Sequence, residues 1–460
     1  MYRALGKYLV LPMVDLYTGT RIAEYRKILE ATQWLKREEI LHLQQERLTG
    51  LLNHAYENVP YYHKVFKDRG LRPSDIRTVE DLKKLPVLKK RDMARMPQQL
   101  MSKSLSEREM MPYNTTGTTA ESLRFYRTKD DVSWNVASEF RTYGWGGYEL
   151  GDKLALIWIF EPNQLKNPLF KLRNLATRQT VSNTLELSEK SIRSLAERMR
   201  RVKPAFLRGL ASKLYMLATY VLAEGTPQKL KAVFSTSETL LPSQRRVIAR
   251  AFGCEVYDFY GSHEVLSMAS ECEEHSGYHI ASENVLLEFV KDGEQVAPGE
   301  TGAILVTSLH NYAMPFIRYD IGDTGKPSDE TCRCGRGLPL FKSLEGRTYE
   351  SFVTGNGTIQ TLRDLDIFFE NLPVRMFQIV QTSRDDILIK IVKADKYSQK
   401  DTDFIERYIA WPRPHKANIK VELVDSIPSE RSGKTRYLIS KLPTYDWLDK
   451  SLSKPTDESG

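Results

Sequence analysis

Along the chain the apolar positions change period more than once. Leu35, Ile40, Leu41, Leu43, Leu48, Leu51 and Leu52 recur at spacings of three, four and seven, which predicts helix across residues 22–57. Pro60 ends that stretch by disfavouring helical geometry at Val59. A further helix is expected at 129–143. From 153 the pattern becomes an unbroken apolar run, Leu154 to Ile159, as in a strand buried on both faces. Helices at about 188–201, 211–223 and 242–252 then alternate with strand candidates at 231–234 and 255–259. That alternation predicts an α/β fold with parallel strands. Val285–Val290 and Ala303–Thr307 read as further β structure, with turns at Asp292-Gly293 and Pro298-Gly299. Past about 346 the order is strands near 375–381 and 386–393, a helix near 400–410 and a strand at 418–424. The expected division is a large N-terminal domain over 1–346, a small α+β domain over 347–445 and a polar tail over 446–460.

Composition narrows the class. The chain has 460 residues, 41% of them hydrophobic and 27% charged, enough for more than one core without disulfides. The net charge of +8 is spread among acidic residues, with no basic stripe of the kind that binds nucleic acid. The longest N-terminal apolar run, Tyr8 to Val14, stops at Asp15 and is too short to span a bilayer or serve as a signal peptide. A soluble, cytoplasmic protein without a transmembrane segment is expected, with this run packed on its own domain. Four cysteines at this length exclude a disulfide scaffold.

Four segments carry chemistry. Thr115, Thr116, Gly117, Thr118 and Thr119 follow Asn114 in a hydroxyl-rich loop whose glycine permits close backbone approach to phosphate. Tyr257 to Glu264 follows a strand candidate, and Glu264 is a carboxylate suited to magnesium. Arg318-Tyr319-Asp320-Ile321-Gly322-Asp323 offers a carboxylate for ribose hydroxyls. Ser432-Gly433-Lys434-Thr435 is not a phosphate-binding Walker loop, because Pro428 stands where that loop needs glycine. It leaves a lysine on a glycine-flanked loop, able to reach a distant site if its domain moves.

In this order, with Gly346-Arg347 between the third and the last, the segments resemble the adenylate-forming superfamily of acyl-CoA synthetases and adenylation domains. The likeness is closer to its phenylacetate–CoA ligase branch, especially the ligase-like proteins of capsular-polysaccharide clusters. Asn58-Val59-Pro60-Tyr61-Tyr62 and Leu85-Pro86-Val87-Leu88-Lys89-Lys90 are typical of that branch. The resemblance implies a large adenylate-forming domain of layered α/β subdomains plus a β subdomain, and a mobile C-terminal domain. It implies ATP and magnesium as cofactors, with CoA as an acceptor, and a small carboxylic acid as substrate. Thr115 to Thr119 would hold phosphates, Ser237 and Glu238 would lie along adenine, and Tyr260, with Gly261 and Ser262 after it, would stack on it. Glu264 would bind magnesium, Asp323 the ribose, Arg347 the nucleotide near a hinge, and Lys434 would bridge carboxylate and α-phosphate. Two positions depart from the pattern: Ala120-Glu121-Ser122 replaces Gly-Lys-Pro, and Tyr349 stands at the usual hinge carboxylate. The implied reaction is acyl-adenylate formation, then transfer to CoA or another acceptor such as a sugar. The alternatives are a non-catalytic nucleotide-binding scaffold and an adenylyltransferase acting on a non-carboxylate acceptor.

Cys332-Arg333-Cys334 is a tight chelating pair, with Cys272, His275 and His279 some 60 residues before it. Three cysteines and one histidine would make a closed, structural zinc site. The branch resemblance selects His279, giving Cys272, His279, Cys332 and Cys334.

Overall fold

The computed structural model describes residues 2–114, 123–158, 160, 165–183, 189–347, 351–353, 359–383, 385–410, 418–430 and 434–440. Apart from the short pairs β1 (Met111–Asn114) with β2 (Arg124–Arg127) and β15 (Ser351–Val353) with β16 (Ile359–Thr361), most of the strands join one twelve-stranded sheet, edged by β11 (Glu294–Gln295). Its parallel part comprises β3 (Leu154–Trp158), β4 (Gln179–Asn183), β5 (Phe206–Leu210), β6 (Ala232–Thr236) and β7 (Glu255–Ser262), in the order β4-β3-β5-β6-β7. β3 and β6 are apolar runs of the sequence, whereas β4 and β5 answer to no strand expectation there; helices Glu189–Val202, Ala211–Ala223 and Pro242–Phe252 pack on this part. Beyond β7 the sheet turns antiparallel through β8 (Leu266–Glu271), β9 (Tyr278–Ile280), β14 (Leu340–Arg347), β13 (Tyr319–Pro327), β12 (Gly302–Ser308) and β10 (Val285–Lys291). Asp292 and Gly293, at φ 52° and 84°, make the tight hairpin expected of that dipeptide, pairing Lys291 with Glu294.

The segment Leu85–Leu88 is fastened to the antiparallel part by a buried pair. Arg318, at φ 50°, bonds Glu288 at 3.0–3.1 Å and donates to Leu85 O at 2.7 Å. Leu88 and Asp320 then exchange backbone contacts through Leu88 N to Arg318 O and Asp320 N to Leu88 O. This brings Lys90 to the edge of the cleft described below.

The helix predicted over 22–57 is two helices, Ile22–Thr32 and Arg37–Asn58. Tertiary contacts break it: Gln33 O accepts from Gly337 N, and Gln33 Oε1 accepts from Trp145 Nε1 at 2.8 Å and Arg336 Nε at 3.0 Å. A Cβ at Gly337 would stand 1.9 Å from Leu35 O, so only glycine lets the two segments touch.

A second, four-stranded sheet follows, ordered β19 (Asn418–Leu423), β18 (Asp386–Lys393), β17 (Val374–Gln381) and β20 (Leu438–Ser440). Helices Leu362–Glu370 and Gln399–Ala410 close its core of Phe369, Phe377, Ile379, Ile389, Ile405 and Ile409. This unit packs on helix Pro242–Phe252: Leu241 joins its core, Ser243 Oγ donates to Asp366 at 2.6 Å, and Arg246 pairs with Glu370. Among the described residues no helix is long and apolar enough to cross a membrane.

Candidate functional site

An open cleft of about 440 Å³ lies where the parallel strands end and the antiparallel ones begin. This is where sheets of this kind receive ligands, because diverging chain ends leave a crevice beyond the strand carboxyl ends. Of the sequence-predicted residues, Ser237, Glu238, Tyr260, Gly261, Ser262, Glu264, Asp323, Arg347 and Lys434 all line it. Thr115, Thr116, Gly117, Thr118 and Thr119 lie outside the described residues, as do Glu121 and Tyr349. The strands bracketing that loop pair Asn114 with Arg124.

Local geometry explains the motif at the end of β7. The β7–β8 register slips between Tyr260 and Gly261, and a Cβ on Gly261 would stand 2.0 Å from Leu266 O. Ser262 Oγ accepts from Val265 N, closing the turn that presents His263 and Glu264. Arg127, buried and 3.2 Å from Asp131, donates to the carbonyls of His263 and Glu264 from below. Tyr319 OH donates to Glu264 Oε1 at 3.3 Å.

Asp323 and Arg347 face each other across β13 and β14, 3.5 Å apart. Tyr260 OH donates to Asp323 Oδ2 at 2.9 Å. Burial raises the Asp323 carboxyl, and the charges of Arg347 and Lys434 oppose that shift. Burial lowers His263, and Lys434 lowers it further. Lys434 lines the same cleft, although it comes from the segment that leads into β20 of the C-terminal sheet.

Glu238, in the cleft lining, is hydrogen-bonded from two sides. Its carboxylate accepts from Ser212 N at 2.7 Å and Ser212 Oγ at 3.1 Å, at the start of helix Ala211–Ala223. It also accepts from Thr435 N at 2.9 Å, the residue after Lys434. Lys213 Nζ donates to Ser429 Oγ at 2.8 Å beside it. Glu238 thus ties the lysine loop to the large domain. Ser237, at φ 70°, holds a left-handed conformation uncommon for serine.

At the β3–β5 side of the cleft stand Trp158, Glu139 and Arg208. Arg208 pairs with Glu139 at 3.1 Å and lies over Tyr143 and Trp158, each 5.2 Å from the ring centre. Among the tryptophans of this part of the chain, Trp158 lines the cleft; Trp134 stacks between Tyr25 and His310 in the core, and Trp145 packs against His279. Lys90, Asp258 and His263 sit inside segments the sequence singled out, but without a role of their own there; Glu139 and Arg208 lie in no recognisable motif and reach the cleft only through the packing of helix Lys129–Trp145 on the sheet.

Cys272, His279, Cys332 and Cys334 come together, their ligand atoms within 4.8 Å of one another. Cys272 and Cys332 sulfurs are 3.6 Å apart and Cys334 Sγ is 3.3 Å from His279 Nε2. Tetrahedral zinc with Zn–S of about 2.3 Å sets sulfur–sulfur edges of about 3.8 Å, so the donors fit that ion. The sulfur separation is too long for a disulfide. His279 Nδ1 donates to Leu338 O at 3.1 Å, leaving Nε2 as the ligand atom. His275 instead contacts Glu271 and Glu255.

The model of the CapK C-terminal domain family matches residues 352–441. Over 330 residues the chain is 25% identical to a phenylacetate–CoA ligase of Thermus thermophilus, covering 69% of this chain and 73% of that one. It is 23% identical over 446 residues to CapK of Staphylococcus aureus, covering 94% of each. The chain is a homologue of the phenylacetate–CoA ligases and of CapK. Its fold is that of the adenylate-forming CoA ligases: 2-hydroxyisobutyryl-CoA ligase in its postadenylation state superposes with a TM-score of 0.74 at 20% identity, covering 92% and 94%. The same ligase in its thioesterification state gives 0.61. The resemblance drawn from the motifs is thereby borne out.

Proposed function

We propose that the protein activates a carboxylic acid with ATP, forming an acyl-adenylate and pyrophosphate, and passes the acyl group to CoA or another acceptor. One observation carries this reading: Lys434, from the small sheet, enters the cleft that holds Tyr260, Glu264, Asp323 and Arg347. A substrate carboxylate oxygen bonds to the α-phosphorus as the bond from that phosphorus to the pyrophosphate oxygen breaks. Lys434 offsets the negative charge between carboxylate and α-phosphate as this happens. One preorganised charge of this kind contributes about 3–4 kcal/mol to the transition state. Asp323 accepts the ribose hydroxyls, Tyr260 and Ser237 border the adenine, and Arg347 contacts the nucleotide from β14. Glu264 would hold magnesium with phosphate oxygens, and Thr115 to Thr119 the phosphates themselves. In the second step the acceptor nucleophile attacks the acyl carbon and AMP leaves. The large domain is taken as 1–346 and the small one as 347–445, moving between the two steps about a hinge near Arg347 and Tyr349.

The Arg208–Glu139 pair beside Trp158 favours an acid carrying a hydroxyl or amino group over a bare aryl acid, because burying an ion pair against an apolar ligand leaves its outer lone pairs and N–H groups unanswered. Cys272, His279, Cys332 and Cys334 would hold zinc in a closed site that fastens the β8–β9 turn to the β13–β14 connection; with four protein ligands its part is structural. A sugar acceptor in polysaccharide assembly is what the motif resemblance to the capsular-polysaccharide-cluster proteins implies.

The test is ATP–pyrophosphate exchange across a panel of carboxylic acids. Exchange that depends on one class of acid is expected. ATP binding without exchange for any acid would favour the scaffold reading, and AMP transfer to a non-carboxylate would favour the adenylyltransferase.

A further inference from the structure

The helical segment Tyr2–Thr18 turns its polarity the wrong way round for a water-facing surface. Of its charged side chains Asp15 is buried, Arg3 is tied to neighbouring acids, and Lys7 reaches over the Tyr8 ring. Arg3 bonds Asp152 and Glu149 at 2.8–3.0 Å, Asp15 accepts the backbone N–H groups of Ile22 and Ala23, and Lys7 is half-buried. The outward face is Leu5, Tyr8, Leu9, Met13, Leu16 and Tyr17, exposed by 45–87%. The intervals of three and four between them put them on one side of the segment. Thirteen large apolar side chains are exposed among the described residues, and more than half fall in this one segment. That concentration marks an interaction surface rather than scattered exposure.

Cations flank it. Arg178 lies over the Tyr2 ring at 4.2 Å and follows helix Pro168–Ala176, on which Lys171 and Leu175 are exposed, with Lys166 just before it. The acidic neighbours Glu149 and Asp152 are already engaged by Arg3. A surface with leucine and methionine along its ridge, tyrosines at Tyr8 and Tyr17, and Arg178 against the ring at its Tyr2 end matches the headgroup boundary of an anionic bilayer. Tyrosine favours that boundary because its ring is apolar and its hydroxyl is wet. At about 1.5 Å rise per residue the segment is too short to span, so it lies along the surface.

We propose that the Tyr2–Thr18 face, with the Lys166–Lys171 flank, docks the protein on anionic membrane surfaces. The sequence reading, which packed this run on its own domain, accounts only for the inner face. The proposal does not rest on the adenylation reading.

The experiment is flotation of the full-length protein with phosphatidylcholine vesicles, with and without 30% phosphatidylglycerol, beside light scattering of the protein alone. Stronger binding to the anionic vesicles is expected, weakening as salt rises. Leu9→Glu with Leu16→Glu should reduce the bound fraction at least tenfold and Lys166→Ala with Lys171→Ala several-fold, with unfolding midpoints unchanged. Both pairs lie outside the cleft, so wild-type pyrophosphate exchange serves as a control for folding. A wild-type chain that stays off both vesicles, or one whose Tyr2–Thr18 face is buried in a stable dimer that Leu9→Glu with Leu16→Glu dissociates, would overturn the proposal.

Discussion

Glu238→Ala probes the coupling between the lysine loop and the cleft. The carboxylate serves two masters: it accepts Ser212 N and Oγ at the start of helix Ala211–Ala223, and Thr435 N beside Lys434. A hydrogen bond to a charged group contributes about 1.5–3 kcal/mol, which would shift the ratio of docked to undocked C-terminal unit about ten- to a hundredfold. Loss of the acceptor at the helix start costs a further ~1 kcal/mol of fold stability. Pyrophosphate exchange, which needs Lys434 in the cleft, should therefore fall by at least about tenfold, and interdomain distance measured between fluorescent labels should lengthen. Lys213→Met removes the neighbouring bond to Ser429 without touching the helix start. It should slow exchange less and spare the stability of the large domain. Acyl transfer from preformed acyl-adenylate should not slow in Glu238→Ala, since undocking precedes that step. Wild-type exchange together with wild-type label distances in Glu238→Ala would show that Glu238 does not hold the lysine loop in the cleft.

Three further outcomes are expected. His310 is buried, stacked on Trp134 and held neutral, its pKa pushed down to about 3 mainly by burial. A depressed histidine contributes stability that is complete above its unfolded pKa of about 6.5 and is lost as pH falls toward 3, so about 2.5 kcal/mol should vanish between pH 6.5 and 4.5. Denaturant titrations should show this slope in the wild type and a flatter one in His310→Asn; parallel curves would contradict it. Elemental analysis of purified protein should find about one zinc per chain, and Cys332→Ser with Cys334→Ser should lose it and unfold at lower temperature; metal-free wild type of unchanged midpoint would end the zinc assignment. Replacing the cleft pair by Arg208→Leu with Glu139→Leu should move preference from hydroxy or amino acids toward bare aryl or alkyl acids by about tenfold in kcat/KM, and an unchanged order of acids would remove the pair from specificity.

The fold was most legible where one element satisfied itself. Leu154 to Trp158 and Ala232 to Thr236 are buried on both faces, so their composition alone announces a parallel strand. The strands of the C-terminal sheet were equally plain, since alternation in Asp386–Lys393 leaves Ile387, Ile389 and Ile391 on one side. What the sequence hid was set by partners far along the chain. The break at Gln33 comes from Gly337 and Trp145, and no local signal there opposes a continuous helix. In the site, Glu264, Asp323 and Lys434 were legible because they sit in ordered motifs. Glu238 was legible as a cleft residue but not as a tie, because its partners Ser212 and Thr435 are brought to it only by the docked C-terminal unit. Arg208 and Glu139 lie on separate elements and meet only across the sheet edge.

The decisive experiment is Lys434→Ala, measured by acid-dependent pyrophosphate exchange alongside ATP affinity. The geometry predicts a fall of about 10²–10³ in exchange, because one preorganised charge leaves the transition state, with ATP affinity changed only a few-fold. Exchange at the wild-type rate, with ATP bound as before, would contradict it.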